Sequence, residues 1–372
     1  MKVRKLALSN PMDVNAFIQF PFDLYRSSDF WVPPLRSDMR FILDRSRYPF
    51  YQHSEADFFL AEEGGQVLGR IAAICNNRYN DFNGSKTAFF YFFDAVNDSS
   101  VSAALFESVF LWASRRGLNR VYGPKGLLQG DGIGLLVDGF EHLPAMGIAY
   151  NDPYYDQLVK KAGFKKKSDY LSARLTYIDD VSKKVRRIAE KVKHRRGFWV
   201  KEFSSKEELL AVAPQIRQVY NQAFGTGEGF SPITEEEIQV IADRLTSIAD
   251  PRLIKLVYKG DQIIGFLFAY PNIGRGLQKA KGRLYPFGWF HLWRAFKTSR
   301  MMDANGIGIL PEYQGLGATA VLYTELAASV KEFNFDHIET VQTREDNLAS
   351  LGESSNFQYE WYKTHRVYTK SL

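Results

Sequence analysis

The chain has a single cysteine, Cys75, in 372 residues. A lone thiol excludes an internal disulfide, so the fold cannot depend on an oxidising compartment. Histidine is almost as scarce. The six present are scattered, no pair stands at ligand spacing, and no metal is expected. No apolar run approaches the ~18 residues of a membrane-spanning helix. The opening MKVRKLALSNPMD is basic but lacks the apolar core of a signal peptide. The expectation is a cytoplasmic protein.

What is abundant points to a globular protein. Apolar residues make up 45% and charged residues 24%, with 29 Phe and 20 Tyr, which excludes extensive disorder. The length suffices for two domains with separate cores. The net charge of +6 is modest. Two stretches are locally basic: Lys183–Arg196, and Arg275–Arg300, which holds seven Lys or Arg and no acid. Neither matches a nucleic-acid-binding module, so no nucleic acid is expected.

Two passages repeat one order of elements. In the first, DFFLA and VLGRIAAIC flank a turn, KTAFFYFFDA is a very apolar strand, and Val101–Arg116 is an amphipathic helix. A strand at Arg120–Tyr122, a helix at Pro153–Ala162 and a strand at Tyr170–Leu175 follow. In the second, Phe198–Phe203 is a strand and Ser205–Phe224 a helix. Thr234 with Glu237 opens another helix as a capping box. Leu253–Tyr258 and Ile263–Tyr270 form a hairpin, and Asn305–Leu310 is a strand. Gly317–Phe333 (helix), His337–Thr343 (strand), Asn347–Ser355 (helix) and Trp361–Lys370 (strand) complete it. The basic run Lys183–Arg196 reads as a solvated helical linker.

Gln314-Gly315-Leu316-Gly317-Ala318-Thr319 lies between a strand ending at Pro311 and a helix. Glycines allow close backbone approach, successive N–H groups converge, and the helix start adds partial positive charge. A diphosphate is the ligand such a turn favours.

Apolar-x-Pro-x-Tyr-Gln-Gly-x-Gly between strand and helix resembles the acyl-CoA loop of the GNAT acyltransferases. The resemblance implies that Gln314, Gly315, Leu316, Gly317, Ala318 and Thr319 hold the CoA pyrophosphate, with Ile309 and Leu310 beside the pantetheine. The Ile309 N–H would serve the thioester carbonyl as an oxyanion donor. Thr319 stands where the family has Gly or Ala. In the first half, Asn151-Asp152-Pro153 through Gly163-Phe164 resembles the family's second motif, but KTAFFYFFDA runs into VNDSSVS, where Asp94 and Asp98 would repel a diphosphate. Nearly the whole chain thus resembles a tandem GNAT protein of the α/β class with mixed sheets. Residues 1–180 would form a degenerate domain without a CoA loop, and 181–372 the acyl-CoA-binding domain.

In the second half Asn347 matches the second motif. Ser354 replaces the tyrosine that many family members use to protonate the departing thiolate, and Asn356-Phe357 replaces Gly-Phe. Tyr323, Tyr359 and Tyr362 are unranked substitutes. Candidate bases for an amine acceptor are Asp303, Glu339 and Glu228. Each is weighed against a solvated carboxylate.

Gly123–Phe140 contains GDGIG, which fails the dinucleotide fingerprint and reads as an ordered loop. Arg283–Arg300 is an insertion that puts Trp289, Leu292, Trp293 and Phe296 on one helical face. Three uses stay open: peripheral contact with a membrane surface, a roof over an acyl pocket, or packing against the other domain. The expected function is acyl transfer from acetyl-CoA or another acyl-CoA to a small-molecule amine. The alternatives are a long-chain acyltransferase acting on a lipid amine and a non-catalytic CoA-binding module. Aminoacyl transfer from tRNA is disfavoured by the CoA loop.

Overall fold

The computed structural model describes residues 1–175, 183–225, 229–347 and 359–372. In chain order these form β1 (Lys2–Lys5), α1 (Pro11–Leu24), α2 (Arg36–Leu43), β2 (Glu55–Glu63), β3 (Gln66–Cys75), α3 (Asn77–Asn83), β4 (Thr87–Ala95), α4 (Ser99–Ser114), β5 (Arg120–Gly123), β6 (Leu135–Asp138), α5 (Tyr155–Lys161) and β7 (Lys165–Leu175). There follow α6 (Lys183–Arg196), β8 (Phe198–Lys201), α7 (Lys206–Ala211), α8 (Ala213–Phe224), α9 (Glu235–Ile248), β9 (Lys255–Lys259), β10 (Gln262–Pro271), α10 (Gly274–Ala280), α11 (Gly288–Thr298), β11 (Met301–Ile309), α12 (Ala318–Phe333), β12 (His337–Arg344) and β13 (Glu360–Ser371). None of these helices is long and apolar enough to cross a membrane.

The chain forms two compact units that are discontinuous in sequence, unlike the contiguous halves divided at 180/181. Unit 1 holds Met1–Tyr170, Gly274–Trp293 and Lys363–Leu372; unit 2 holds Leu171–Ile273 and Arg294–Tyr362. In unit 1 the strand order is β1-β2-β3-β4-β5-β13, with β6 also on β13. Its core collects Ile71, Phe90, Phe93 and Phe106 around the stripe Val101, Leu105, Val109 and Trp112 of α4. The α4 spacing is that of a helix burying one face. In unit 2 the order is β7-β12-β11-β10-β9-β8.

Local chemistry explains where the elements begin and break. The capping box forms as expected: Glu237 N–H donates to Thr234 Oγ1 at 3.2 Å, and Thr234 N–H donates to Glu237 Oε2 at 2.9 Å. The expected single helix over 205–224 is instead two, α7 and α8, parted at Val212. Pro214 lies in the first turn of α8, where its missing N–H costs nothing, but it cannot continue a helix begun earlier. The basic run at 183–196 is not a free linker. Its stripe Val185, Ala189 and Val192 is buried, and α6 lies against α12. The Asn347–Ser355 helix expectation extends past the described residues.

Candidate functional site

The site in unit 2 begins with a change in strand pairing. β11 and β12 are parallel partners only from Met301↔His337 to Ala304↔Thr340. Both strands continue, but apart. Two local features cause the divergence. Opposite β10, the register jumps from Leu267↔Ile307 to Ala269↔Ala304, which places a bulge at Asn305-Gly306. Gly306 has φ +118, a conformation L side chains rarely adopt. On β12, Gln342 also has positive φ, and its N–H donates to Ser172 Oγ on β7.

A row of backbone groups borders this gap. Leu310 N–H donates to Ile264 O of β10 at 2.9 Å. Antiparallel alternation then turns the N–H groups of Ile307 and Ile309 the other way, toward the gap. Leu310 spends its own N–H in the sheet, so of the two expected pantetheine contacts only Ile309 keeps a backbone donor on that side. The Ile309 carbonyl accepts from Gln314 Nε2 at 3.1 Å, which fastens the loop to the strand end.

The loop turns at its glycines. Gly315 and Gly317 have φ +70 and +92, and Gly317 leads into α12 with no side-chain cap. The first N–H groups of α12, at Ala318 and Thr319, therefore have neither an intrahelical partner nor a capping side chain. A Cβ on Gly317 would lie 2.6 Å from Val192 Cγ2 of α6, so glycine is required by space as well as by φ. Asn347 sits in the turn after β12, its N–H bonded to Arg344 O.

At the closed end of the gap are two carboxylates. Asp303 and Glu339 are register partners on β11 and β12, and both are almost completely buried. Asn272 Nδ2 donates to both oxygens of Asp303 at 3.1 Å. Tyr362 donates its hydroxyl to Glu339 Oε2 at 2.7 Å, and Arg174 stands 4.7 Å from the centre of the Tyr362 ring. Burial, then the charge of Glu339, holds the Tyr362 phenol well above its ordinary range. Burial, then the charge of Asp303, likewise raises Tyr270. Of the three tyrosines considered in place of Ser354, Tyr362 is hydrogen-bonded to the buried acid pair. Tyr359 stacks on Trp361. Glu228, Ser354, Asn356 and Phe357 lie outside the described residues.

Unit 1 repeats the gap and fills it. β4 and β5 pair only from Thr87↔Arg120 to Phe89↔Tyr122. Beyond that, Lys125 N–H donates to Phe90 O, Tyr154 Oη to Ala95 O, and Ala95 N–H to Tyr155 Oη. Asp98 caps α4 itself, accepting from Ser100 N–H at 2.7 Å, while Asp94 is bound by Arg70 at 2.7 Å. Asn151 of the second motif is spent on both backbone groups of Leu136.

These two strand–gap–helix units define the fold: the chain has the tandem GNAT fold. It overlays on a tandem GNAT protein from the clavulanic acid biosynthesis pathway at TM-score 0.56, covering 100% of this chain and 98% of that one, at 12% identity. In sequence it is similar to two curated bacterial proteins over nearly their whole lengths. One is Protein YghO of Escherichia coli (strain K12), 27% identical across 98% of this chain and 94% of that protein. The other is the bacterial ceramide synthase of Caulobacter vibrioides (strain NA1000 / CB15N), 26% identical across 99% and 97%. No protein-family model matches the chain.

Proposed function

We propose that the protein is an acyl-CoA-dependent N-acyltransferase whose active site lies in unit 2. The observation that carries this is the gap between β11 and β12. One side offers outward N–H groups, one end offers an uncapped helix start behind a glycine loop, and the other end offers a buried acid pair. The residues suit the substrate in order. Ala318 and Thr319 N–H groups would take the pyrophosphate, and the outward N–H groups of Ile307 and Ile309 would take the pantetheine and thioester. The amine nitrogen attacks the thioester carbonyl, forming C–N and breaking C–S. The amine's proton passes to a carboxylate of the Asp303–Glu339 pair, and Tyr362, held protonated, supplies the proton to the leaving thiolate. A backbone N–H at the carbonyl would stabilise the developing oxyanion.

Similarity to a ceramide synthase over 99% of the chain favours one class of acceptor. Ceramide is a fatty amide of a long-chain amino alcohol, so the acyl donor would be a long-chain acyl-CoA and the acceptor a lipid amine.

The test is thiol release together with mass spectrometry of the product. Purified protein would be given acetyl-CoA or palmitoyl-CoA with long-chain amino alcohols or soluble amines. Amide formation from palmitoyl-CoA and a long-chain amine is expected. Turnover confined to acetyl-CoA and soluble amines would overturn the lipid reading. Acyl-CoA binding without transfer to any amine would leave a non-catalytic binding module.

A further inference from the structure

Unit 1 carries a second feature that the proposed acyl transfer does not use. Residues Gly274–Trp293 include Arg275, Lys279, Lys281 and Arg283 and no acid. The segment is firmly attached. Arg275 and Gln278 donate to Asp29 O, Gln278 also to Trp31 O, and Arg36 N–H to Gly282 O. The sequence leaves three uses open for its aromatic face: a membrane surface, a roof over an acyl pocket, or packing against the other domain. The anchoring comes from α10 and the turn after it, and the large rings beyond that turn are exposed. Tyr285 is 80% exposed, Phe287 72%, and Trp289 and Trp293 54% each, with Phe290 among them. Bulky apolar rings gathered at one surface are costly in water and mark a place where something docks.

Beside them is an open groove of about 910 Å³, lined by Asn15, Gln19, Arg36, Arg40, Arg283 and Tyr285. Two of its guanidinium groups lean on neutral amides. Arg36 donates to Gln19 Oε1 at 2.7 Å and Arg40 to Asn15 Oδ1 at 2.6 Å. Arg36 Nε is buried with no hydrogen-bond partner. Burial, then the charges of Arg283 and Arg40, pushes the Arg36 pKa down, as convergent positive charge should. Such a groove suits a phosphate, and its guanidiniums supply planar pairs of donors.

We propose that this face docks on an anionic phospholipid bilayer, with a lipid phosphate in the Arg36–Arg40–Arg283 groove and Tyr285, Phe287, Trp289, Phe290 and Trp293 sunk into the interface. A bilayer is favoured over an acidic protein because both halves of the surface match it. Amphipathic Trp and Tyr settle at the headgroup level, and basic side chains beside them meet anionic headgroups. The docking goes beyond acyl transfer and stands or falls separately.

Flotation of the full chain with vesicles tests it, without acyl-CoA or amine. Protein should float with phosphatidylcholine–phosphatidylglycerol vesicles on the order of tenfold more than with phosphatidylcholine alone, less so at high salt. Phe287→Ser with Trp289→Ser should abolish flotation. Arg40→Gln with Arg283→Gln should remove the preference for the anionic lipid. All four side chains are exposed, so folding should survive, and a thermal melt checks that. No flotation, flotation indifferent to lipid charge, or flotation unchanged in both variants would overturn the proposal. So would heat stabilisation by inorganic phosphate without vesicle binding, or binding to acidic protein in place of vesicles.

Discussion

Tyr362 donates its hydroxyl to the buried Glu339 carboxylate. Tyr362→Phe keeps the ring and removes the hydroxyl. If Tyr362 protonates the thiolate, kcat should fall by about 10²-fold with KM for acyl-CoA unchanged. Stability should drop by about 2 kcal/mol, because the lost bond is to a buried carboxylate. An unaltered kcat, measured by thiol release, would remove it from the mechanism. The contact is not legible in the sequence, since the two residues stand 23 positions apart on different strands and no local pattern announces it. The loop Gln314–Thr319 is legible because its chemistry is contiguous: glycines, a helix start and a proline within a few residues. Asp303 and Glu339 are legible as carboxylates on neighbouring strands. His365 permits a prediction about pH. It is 1% exposed, its Nε2 faces Ala149 O, and its Nδ1 is buried without a partner. Burial chiefly, with the charge of Lys363, lowers its pKa to about 4. The unfolded chain, near 6.5, takes up that proton first as pH falls. The neutral imidazole's contribution is thus complete above about 6.5 and is lost as pH falls toward 4. Near pH 5 the loss should be about 2 kcal/mol. Urea melts should show it, and His365→Leu should flatten that part of the profile.

At the scale of elements, sequence periodicity located most helices and strands, and the departures have physical causes. The break at Val212 follows from Pro214. Helix α6 read as a linker because its basic residues dominate the composition, yet a stripe of three small apolar residues suffices to seat it on α12. That seating bears on the loop. Gly317 combines a positive φ with a close approach of Val192, so Gly317→Ala suffers twice. The left-handed conformation alone costs an alanine about 1–2 kcal/mol. The contact adds to this unless α6 shifts, and a shift of α6 or of the loop would disturb the amides proposed to bind the pyrophosphate. Gly317→Ala should lower both the melting temperature and acyl-CoA affinity. Adding Val192→Ala removes the contact but not the φ strain, so the pair should recover part of the stability. Full recovery of melting temperature and affinity in the double variant would show that the αL conformation is unimportant.

For the molecule as a whole, the repeat of elements was visible in the sequence, but the exchange of Gly274–Trp293 and Lys363–Leu372 into unit 1 was not. Those segments are far from their partners along the chain, and only three-dimensional contacts assign them. The two units share one architecture and differ in what occupies the gap. In unit 2 the β11 edge turns N–H groups outward, and α12 begins without a side-chain cap. In unit 1 every comparable position described above is taken: Phe90 O by Lys125, both polar groups of Ala95 by Tyr154 and Tyr155, and the start of α4 by Asp98. A carboxylate already at a helix start supplies the negative charge that a phosphate would otherwise bring, and repels one. The full chain should therefore bind a single equivalent of CoA. Calorimetric titration should give one site per chain. Gly317→Asp should remove it by placing a carboxylate in the unit 2 loop. Asp98→Ala should lower stability by about 1 kcal/mol through the lost cap without creating a second site, because the β4 edge remains occupied. Two equivalents bound by the unaltered chain, or one that survives Gly317→Asp, would place CoA in unit 1 and reverse the assignment.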